Sequence, residues 1–196
     1  MIVLEGPDGS GKSTLAESIE GWLNITKEPR AVTASAEKMK PIGQYIVDEM
    51  KRGFGLRLYD RFALISSPMY LSLPNPTFSE ELLSVEFLRD MWHRFVQLDP
   101  LVIMCLPPYQ VVKANILADE SSEVVWPHID TIYWSYHNMF AMLKTMGVSV
   151  LHYDYSRSNQ WRIAQEKALD NNLRWVKARI EREEREKTEQ ERINDR

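Results

Sequence analysis

Gly6-Pro7-Asp8-Gly9-Ser10-Gly11-Lys12-Ser13 follows directly on the apolar run Met1-Ile2-Val3-Leu4 and leads into Thr14-Leu15-Ala16. The spacing is G-x-x-x-x-G-K-S, set between a strand-like and a helix-like stretch, and few chain geometries satisfy it. Glycines at 6, 9 and 11 let the backbone turn its N–H groups inward on the β- and γ-phosphates of a nucleotide. Lys12 is placed to bridge those phosphates, and Ser13 to offer its hydroxyl to Mg²⁺. The helix that opens at Ser13 turns its positive end toward the anion. A chance glycine-rich turn would lack the strand before it and the helix after it.

A chain of 196 residues with 44% hydrophobic content suffices for one α/β domain and is too short for two full-sized enzyme domains. Its single cysteine, Cys105, sits inside an apolar run, which excludes an internal disulfide framework and a thiolate zinc cluster. No basic-then-apolar leader precedes the first strand, and no apolar stretch reaches the roughly 18 residues that span a bilayer. The expectation is a protein of a reducing cytoplasm with no membrane partner. The formal net charge of -4 argues against coating nucleic acid by bulk electrostatics and leaves room for a local basic channel.

Five strand-like stretches, near 1–5, 24–28, 56–60, 101–106 and 148–153, alternate with helical ones. That layout predicts a parallel sheet with helices on both faces. The first helix carries Leu15, Ile19, Trp22 and Leu23 and stops at Asn24. A second is expected from Ser35 through Met50. Pro68, Pro74 and Pro76 predict an irregular loop, and Ser79 is the expected N-cap of a helix through Phe95. Residues 109–119 and 127–146 read as helices, the latter with a core stripe at Tyr133, Trp134, Tyr136 and Phe140. From Asn159 onward Trp161, Leu169, Leu173, Val176 and Ile180 form an apolar seam. Beyond Ile180 no apolar face continues, so the tail is either a solvated helix laced by i,i+4 ion pairs or frayed.

Leu56-Arg57-Leu58-Tyr59 delivers Asp60-Arg61-Phe62 to the C-terminal edge of the sheet, where ligands bind in open α/β folds. With Glu5 to Thr14, this triplet carries a resemblance to the thymidylate kinase family, which has an E-G before its loop and an acid within it. Thr26-Lys27-Glu28-Pro29 resembles the family's T-R-E-P element, Asp60-Arg61-Phe62 its D-R-aromatic motif, and Leu101 to Pro108 its strand ending in two prolines. The resemblance spans residues 1 to about 110. It implies a three-layer P-loop kinase fold of class α/β, with a five-stranded parallel sheet in residues 1–156 and a C-terminal helix and charged tail in 157–196.

The implied chemistry is phosphoryl transfer from ATP with Mg²⁺, which needs phosphates held, charge neutralised and an acceptor oxygen placed in line. Gly6, Pro7, Asp8, Gly9, Ser10, Gly11, Lys12, Ser13 and Thr14 would bind the nucleotide. Ser13 and Asp60 would serve the metal, Asp60 through water. Lys12 and Arg61 would stabilise the transferring group, and Asp8 would face the acceptor's hydroxyl.

Three departures from the family pattern bear on the acceptor. The interval from Pro29 to Asp60 is short and lacks the helix that supplies an arginine for the acceptor's phosphate. Cys105 stands where the family's L-D-V-P-P strand end has Asp. The lid-like stretch 117–126 has no Arg or Lys and carries Asp119, Glu120 and Glu123. The pattern resembles bacteriophage enzymes related to thymidylate kinase that phosphorylate the hydroxymethyl group of 5-hydroxymethyluracil in DNA, which would place the protein in a host cytoplasm. Tyr59, Phe62, Tyr70 or Trp92 would then stack on the flipped base.

The expected partners are therefore ATP and a pyrimidine deoxynucleotide acceptor, free or in DNA, with a homodimer as a candidate role for the tail. The alternative is a deoxynucleoside monophosphate kinase. A reading from another class, a nucleotide-regulated switch whose tail helix binds a partner, is disfavoured by Asp60-Arg61.

Overall fold

The computed structural model describes residues 1–28, 42–53, 55–70, 84–119 and 125–194. Apolar runs without turn formers give the central strands β1 (Ile2–Glu5) and β4 (Leu101–Cys105), both buried along their whole length. Between and beside them lie β2 (Lys27–Glu28), β3 (Leu58–Asp60) and β5 (Ser149–Tyr153). The five strands form one sheet in the order β2-β3-β1-β4-β5, with every pair parallel. The register sets Leu4 beside Asp60 and Ile103, so the ends of β1, β3 and β4 share one edge.

Alternation along the strands sends side chains into two layers. Ile2, Leu4, Leu58, Leu101 and Ile103 face α1 (Lys12–Leu23) and the C-terminal helix α7 (Asn159–Asn194). Val3, Tyr59, Val102 and Met104 face the opposite layer. That layer holds α2 (Ile42–Lys51), α3 (Ala63–Tyr70), α4 (Val85–Gln97) and α6 (Ile129–Thr145). Helix α5 (Tyr109–Ala118) and a 3₁₀ turn (Trp126–His128) pack with the start of α6 in a smaller cluster. Among the described residues, no helix is long and apolar enough to cross a membrane.

Several local expectations change. The loop expected around Pro68 begins instead as helix α3, with Pro68 inside it. Pro68 removes one backbone donor, but Ala63, Leu64, Ile65, Ser66, Ser67 and Met69 are all buried, and burial outweighs one missing bond. Ser84, not Ser79, caps α4, its hydroxyl accepting the Phe87 N–H at 3.1 Å. Pro74, Pro76, Ser79, Ser35 and most of the lid-like stretch lie outside the described residues. Trp134 and Trp161 leave the cores in which they were expected. Trp161 lies about 80° around the helix from the azimuth of Leu169, and the Arg157 guanidinium stacks on it.

The remaining seam residues, Leu169, Leu173, Val176 and Ile180, are buried against Leu15, Ile19 and Leu23. Arg179 fastens the end of this seam by donating to the Asp99 carboxylate and, at 2.8 Å, to the Asp99 carbonyl. After Ile180 the helix continues exposed, with the Arg182–Glu186 ion pair along it. Deleting the residues after Arg185 should therefore leave the thermal midpoint within about 2 °C of the full chain. A larger loss in a calorimetric scan would show that the tail packs on something.

Candidate functional site

The loop between β1 and α1 takes its shape from backbone conformations that side chains resist. Gly6 (φ 145°) passes so close to β4 that a Cβ there would sit 2.3 Å from the Cys105 carbonyl oxygen. Gly11 (φ 80°) opens α1 as its N-cap, without a side chain to cap the helix. The first-turn N–H groups thus remain available to an anion.

Lys12 is buried and folds back into the loop, its Nζ donating to the Pro7 carbonyl at 2.5 Å and the Ser10 hydroxyl at 3.2 Å. Burial, reinforced by the nearby Arg61 charge, lowers its pKa to about 8, so the ammonium is short of counter-charge. Ser13 and Thr14 are exposed at the mouth. Asp8 accepts from Arg61 and from the Tyr70 hydroxyl at 3.1 Å.

Asp60 ends β3, buried, at the edge next to β1. Arg61 follows in the left-handed conformation (φ 73°), which turns its guanidinium back over the loop to Asp8 and to within 4.5 Å of the Tyr70 ring centre. Sequence reasoning left one member of this cluster without a role. Glu5, fully buried at the end of β1, accepts the Phe62 N–H at 2.7 Å. Burial pushes its carboxyl up to about 7, against the opposing pull of that N–H, Arg61 and Lys12. The signal was present in sequence as an acid closing an apolar run.

Tyr136, read only as core stripe, is fully buried and faces the same cluster from α6. Glu28 ends β2 at this edge, tied to Arg52 by a double hydrogen bond at 2.8 and 3.0 Å. Of the four aromatic residues expected to stack on an acceptor, only Tyr70 reaches the site. Tyr59 and Phe62 are core residues, Phe62 stacked on Phe95, and Trp92 meets the edge of Phe95.

On the outer side of the loop lies a cleft of about 410 Å³ lined by Gly9, Thr14, Ser18, Asn115, Tyr153 and Tyr155. Asn115 donates to the Gly9 carbonyl at 2.8 Å and to the Tyr155 hydroxyl at 2.5 Å. The Tyr155 ring lies where a Cβ on Gly11 would be, 2.8 Å away. Buried Asp154 stiffens this turn by accepting from Ser156 and Arg157.

The residues fit a triphosphate. An uncapped helix start, a buried ammonium and a flanking aromatic cleft for a base converge on one loop. They also fit Mg²⁺ of the kind carried by phosphates, one hydroxyl and one carboxylate, from Ser13 and Asp60. Among the described residues, no cluster of three or more His, Cys, Asp or Glu makes a self-sufficient metal site.

No protein-family model and no curated protein sequence matches the chain. Solved structures do. The Bacillus subtilis YorR protein in complex with phosphorylated GDP aligns over 88% of this chain and 96% of its own, at 20% identity and a TM-score of 0.61. Deoxyadenosine kinase from M. mycoides with bound dCTP aligns over 89% and 99%, at 16% identity and a TM-score of 0.51. The same enzyme with bound dATP aligns over 88% and 98%, at 18% and 0.52. These likenesses show the fold, a five-stranded parallel α/β fold of the P-loop kinase type.

The raised Glu5 value has a sign that stability measurements can read. A carboxyl whose folded value exceeds its ordinary 4.5 is at home protonated, and its stabilising contribution is lost as pH rises from about 4.5 to about 7. Glu5→Gln should therefore match the wild type near pH 4.5 and exceed it above pH 7, by up to about 3 kcal/mol. Chemical denaturation at pH 5 and pH 8 checks this. An advantage that shrinks as pH rises would reverse the assignment.

Proposed function

We propose that this protein is an ATP- and Mg²⁺-dependent phosphotransferase that moves the γ-phosphate to a neutral alcohol of a pyrimidine deoxynucleoside unit, free or within DNA. One observation carries the reading: the donor loop is complete, while the described residues on the acceptor side are poor in positive charge. Among the described residues, Lys12 and Arg61 are the cations of the cluster, and Glu5, Asp8 and Asp60 lie around them. Arg61 is already engaged by Asp8. A phosphate dianion on the acceptor would need bidentate arginines of its own, whereas an alcohol needs only a pocket and a proton acceptor.

In this reading Lys12 leaves the Pro7 carbonyl to bind the donor phosphates, with the N-terminal amides of α1 around them. Bound Mg²⁺ would neutralise phosphate charge, held by Ser13 and, through water, by Asp60. The cleft beneath Tyr155 would take the donor's base. Arg61 would meet charge developing on the transferred group, and Asp8 would orient the alcohol and accept its proton. Arrangement and electrostatics do the work, as expected for a loose transition state.

Two alcohols fall within this class. Likeness to a deoxyadenosine kinase favours the hydroxyl of a free deoxynucleoside. Resemblance to the phage branch of the thymidylate kinase family favours the hydroxymethyl group of 5-hydroxymethyluracil in DNA. A deoxynucleoside monophosphate kinase ranks behind both, because it needs cations beyond the two that the described residues bring to the cluster.

The test incubates γ-labelled ATP and Mg²⁺ with deoxynucleosides, dTMP, 5-hydroxymethyl-dUMP, ordinary DNA and hydroxymethyluracil-containing DNA. Label should enter an alcohol of a deoxynucleoside or of the modified base, with transfer lost in Lys12→Ala and at least tenfold reduced in Asp8→Asn. Label entering the phosphate of dTMP at ordinary kinase rates, with the alcohols cold, would overturn the proposal. Label confined to the ends of ordinary DNA would overturn it in favour of a polynucleotide 5′-kinase.

A further inference from the structure

Among the described residues, three polar atoms from three elements are buried at the base of this site without a well-formed hydrogen bond: Glu5 Oε2 on β1, the Tyr136 hydroxyl on α6, which approaches the Glu5 carboxyl, and Arg61 Nε after β3. They belong to one electrostatic cluster, for Arg61 and Tyr136 are both neighbours of the Glu5 carboxyl, and Tyr136 and Glu5 are neighbours of the Arg61 charge. A buried polar group without a good partner costs stability, so three together in a close-packed core ask for a use.

The backbone supplies one. β1 and β3 pair in register up to Leu4 and Asp60, and the Arg61 N–H extends the ladder by donating to the Leu4 carbonyl at 2.9 Å. The next donor, the Phe62 N–H, bonds instead to the Glu5 side chain at 2.7 Å. Arg61 is fixed between these two bonds in the left-handed region, which a non-glycine residue enters only when its surroundings hold it there. That conformation points the guanidinium at Asp8, one edge of it committed and Nε unbonded.

Resting on the proposed phosphotransfer, we propose that Glu5 is the positioning residue for Arg61: one carboxylate oxygen locks the Arg61–Phe62 turn, and the other, with the Tyr136 hydroxyl, receives Arg61 Nε–H when the transferring phosphate draws the guanidinium from Asp8. Arg61 then has two supported positions. In one it closes on Asp8, which itself faces the acceptor. In the other it is braced from behind by Glu5 and Tyr136, with its outer edge free for phosphate. The donor site proper, Lys12 and the loop amides, is not altered by the exchange. Glu5 therefore acts on the rate of transfer and leaves ATP affinity nearly unchanged.

The experiment compares wild type, Glu5→Leu, Glu5→Gln, Arg61→Ala and the Glu5→Leu/Arg61→Ala double variant for kcat and for KM of ATP. It also follows the Arg61 Nε–H resonance by NMR with a non-hydrolysable ATP analogue and Mg²⁺ bound, the state in which Nε–H passes to Glu5; this readout needs no acceptor. Glu5→Leu should lower kcat at least tenfold, with KM for ATP within about twofold, and should move the Nε–H resonance toward that of a solvent-exposed arginine. The amide of Glu5→Gln offers one acceptor oxygen to two donors, so it should lose less than Glu5→Leu but still shift the resonance. Because Glu5 acts through Arg61, the double variant should fall within about twofold of Arg61→Ala alone. Multiplying losses, a rise in KM for ATP without a fall in kcat, or an unmoved Nε–H resonance would each overturn the proposal. Should Glu5→Leu not fold, Glu5→Gln decides by its kcat and its resonance. Should no acceptor take label from the wild type, the functional reading fails, and the resonance still reports whether Glu5 holds Arg61.

Discussion

Everything at the candidate site hangs on the parallel pairing of β1 with β3. It sets Leu4 opposite Asp60, so the two strands end side by side and the chain leaves them in two turns that face each other. One turn becomes the glycine loop from Gly6 to Lys12, and the other carries Arg61 back across it. A slip of the register by one residue would send Asp60 to the opposite face of the sheet, because side chains alternate along a strand. The apolar residues that hold the register, Ile2, Leu4 and Leu58 on one face and Val3 and Tyr59 on the other, are fully buried. The chemistry of the edge is positioned by the packing of both layers.

That edge is electrostatically uncomfortable as it stands. Lys12 is held below its ordinary range and Glu5 above its own, both by burial. Charged groups placed this way favour a ligand that restores the balance, and an anionic phosphate chain does so for Lys12. The same discomfort explains why a stabilising change at Glu5 is expected to slow turnover. With its pKa raised by burial, the carboxylate is expected to cost stability above neutral pH, and the role proposed for it is to orient Arg61.

The sequence made the phosphate loop legible because its shape is written in local residues: three glycines with positive φ and a lysine at the required spacing. Asp60 and Arg61 were legible through their place after an alternating strand. Helix α3 was not, because Pro68 reads as a breaker and only tertiary burial of its neighbours reveals the helix. Tyr59 and Phe62 look like stacking platforms in sequence because an aromatic beside a motif looks functional, yet β3 and the turn after it direct both into the core. Tyr155 and Asn115 carried no local signal. They sit 40 residues apart and meet only because helix α5 after β4 and the turn after β5 bracket the loop. Glu5 stood in plain view, and what it holds became visible only with the Phe62 N–H beside it.

In the proposed function the loop from Gly6 to Thr14 receives the phosphates of a nucleotide while the Tyr155 cleft receives its base. Backbone amide NMR during a titration with ATP and Mg²⁺ tests it most directly. Saturable shifts concentrated at residues 9–14 and at Tyr155, with the Lys12 ammonium moving as it leaves the Pro7 carbonyl, are the predicted result. Unmoved resonances in that loop at millimolar nucleotide, or saturable shifts confined to residues elsewhere, would contradict it.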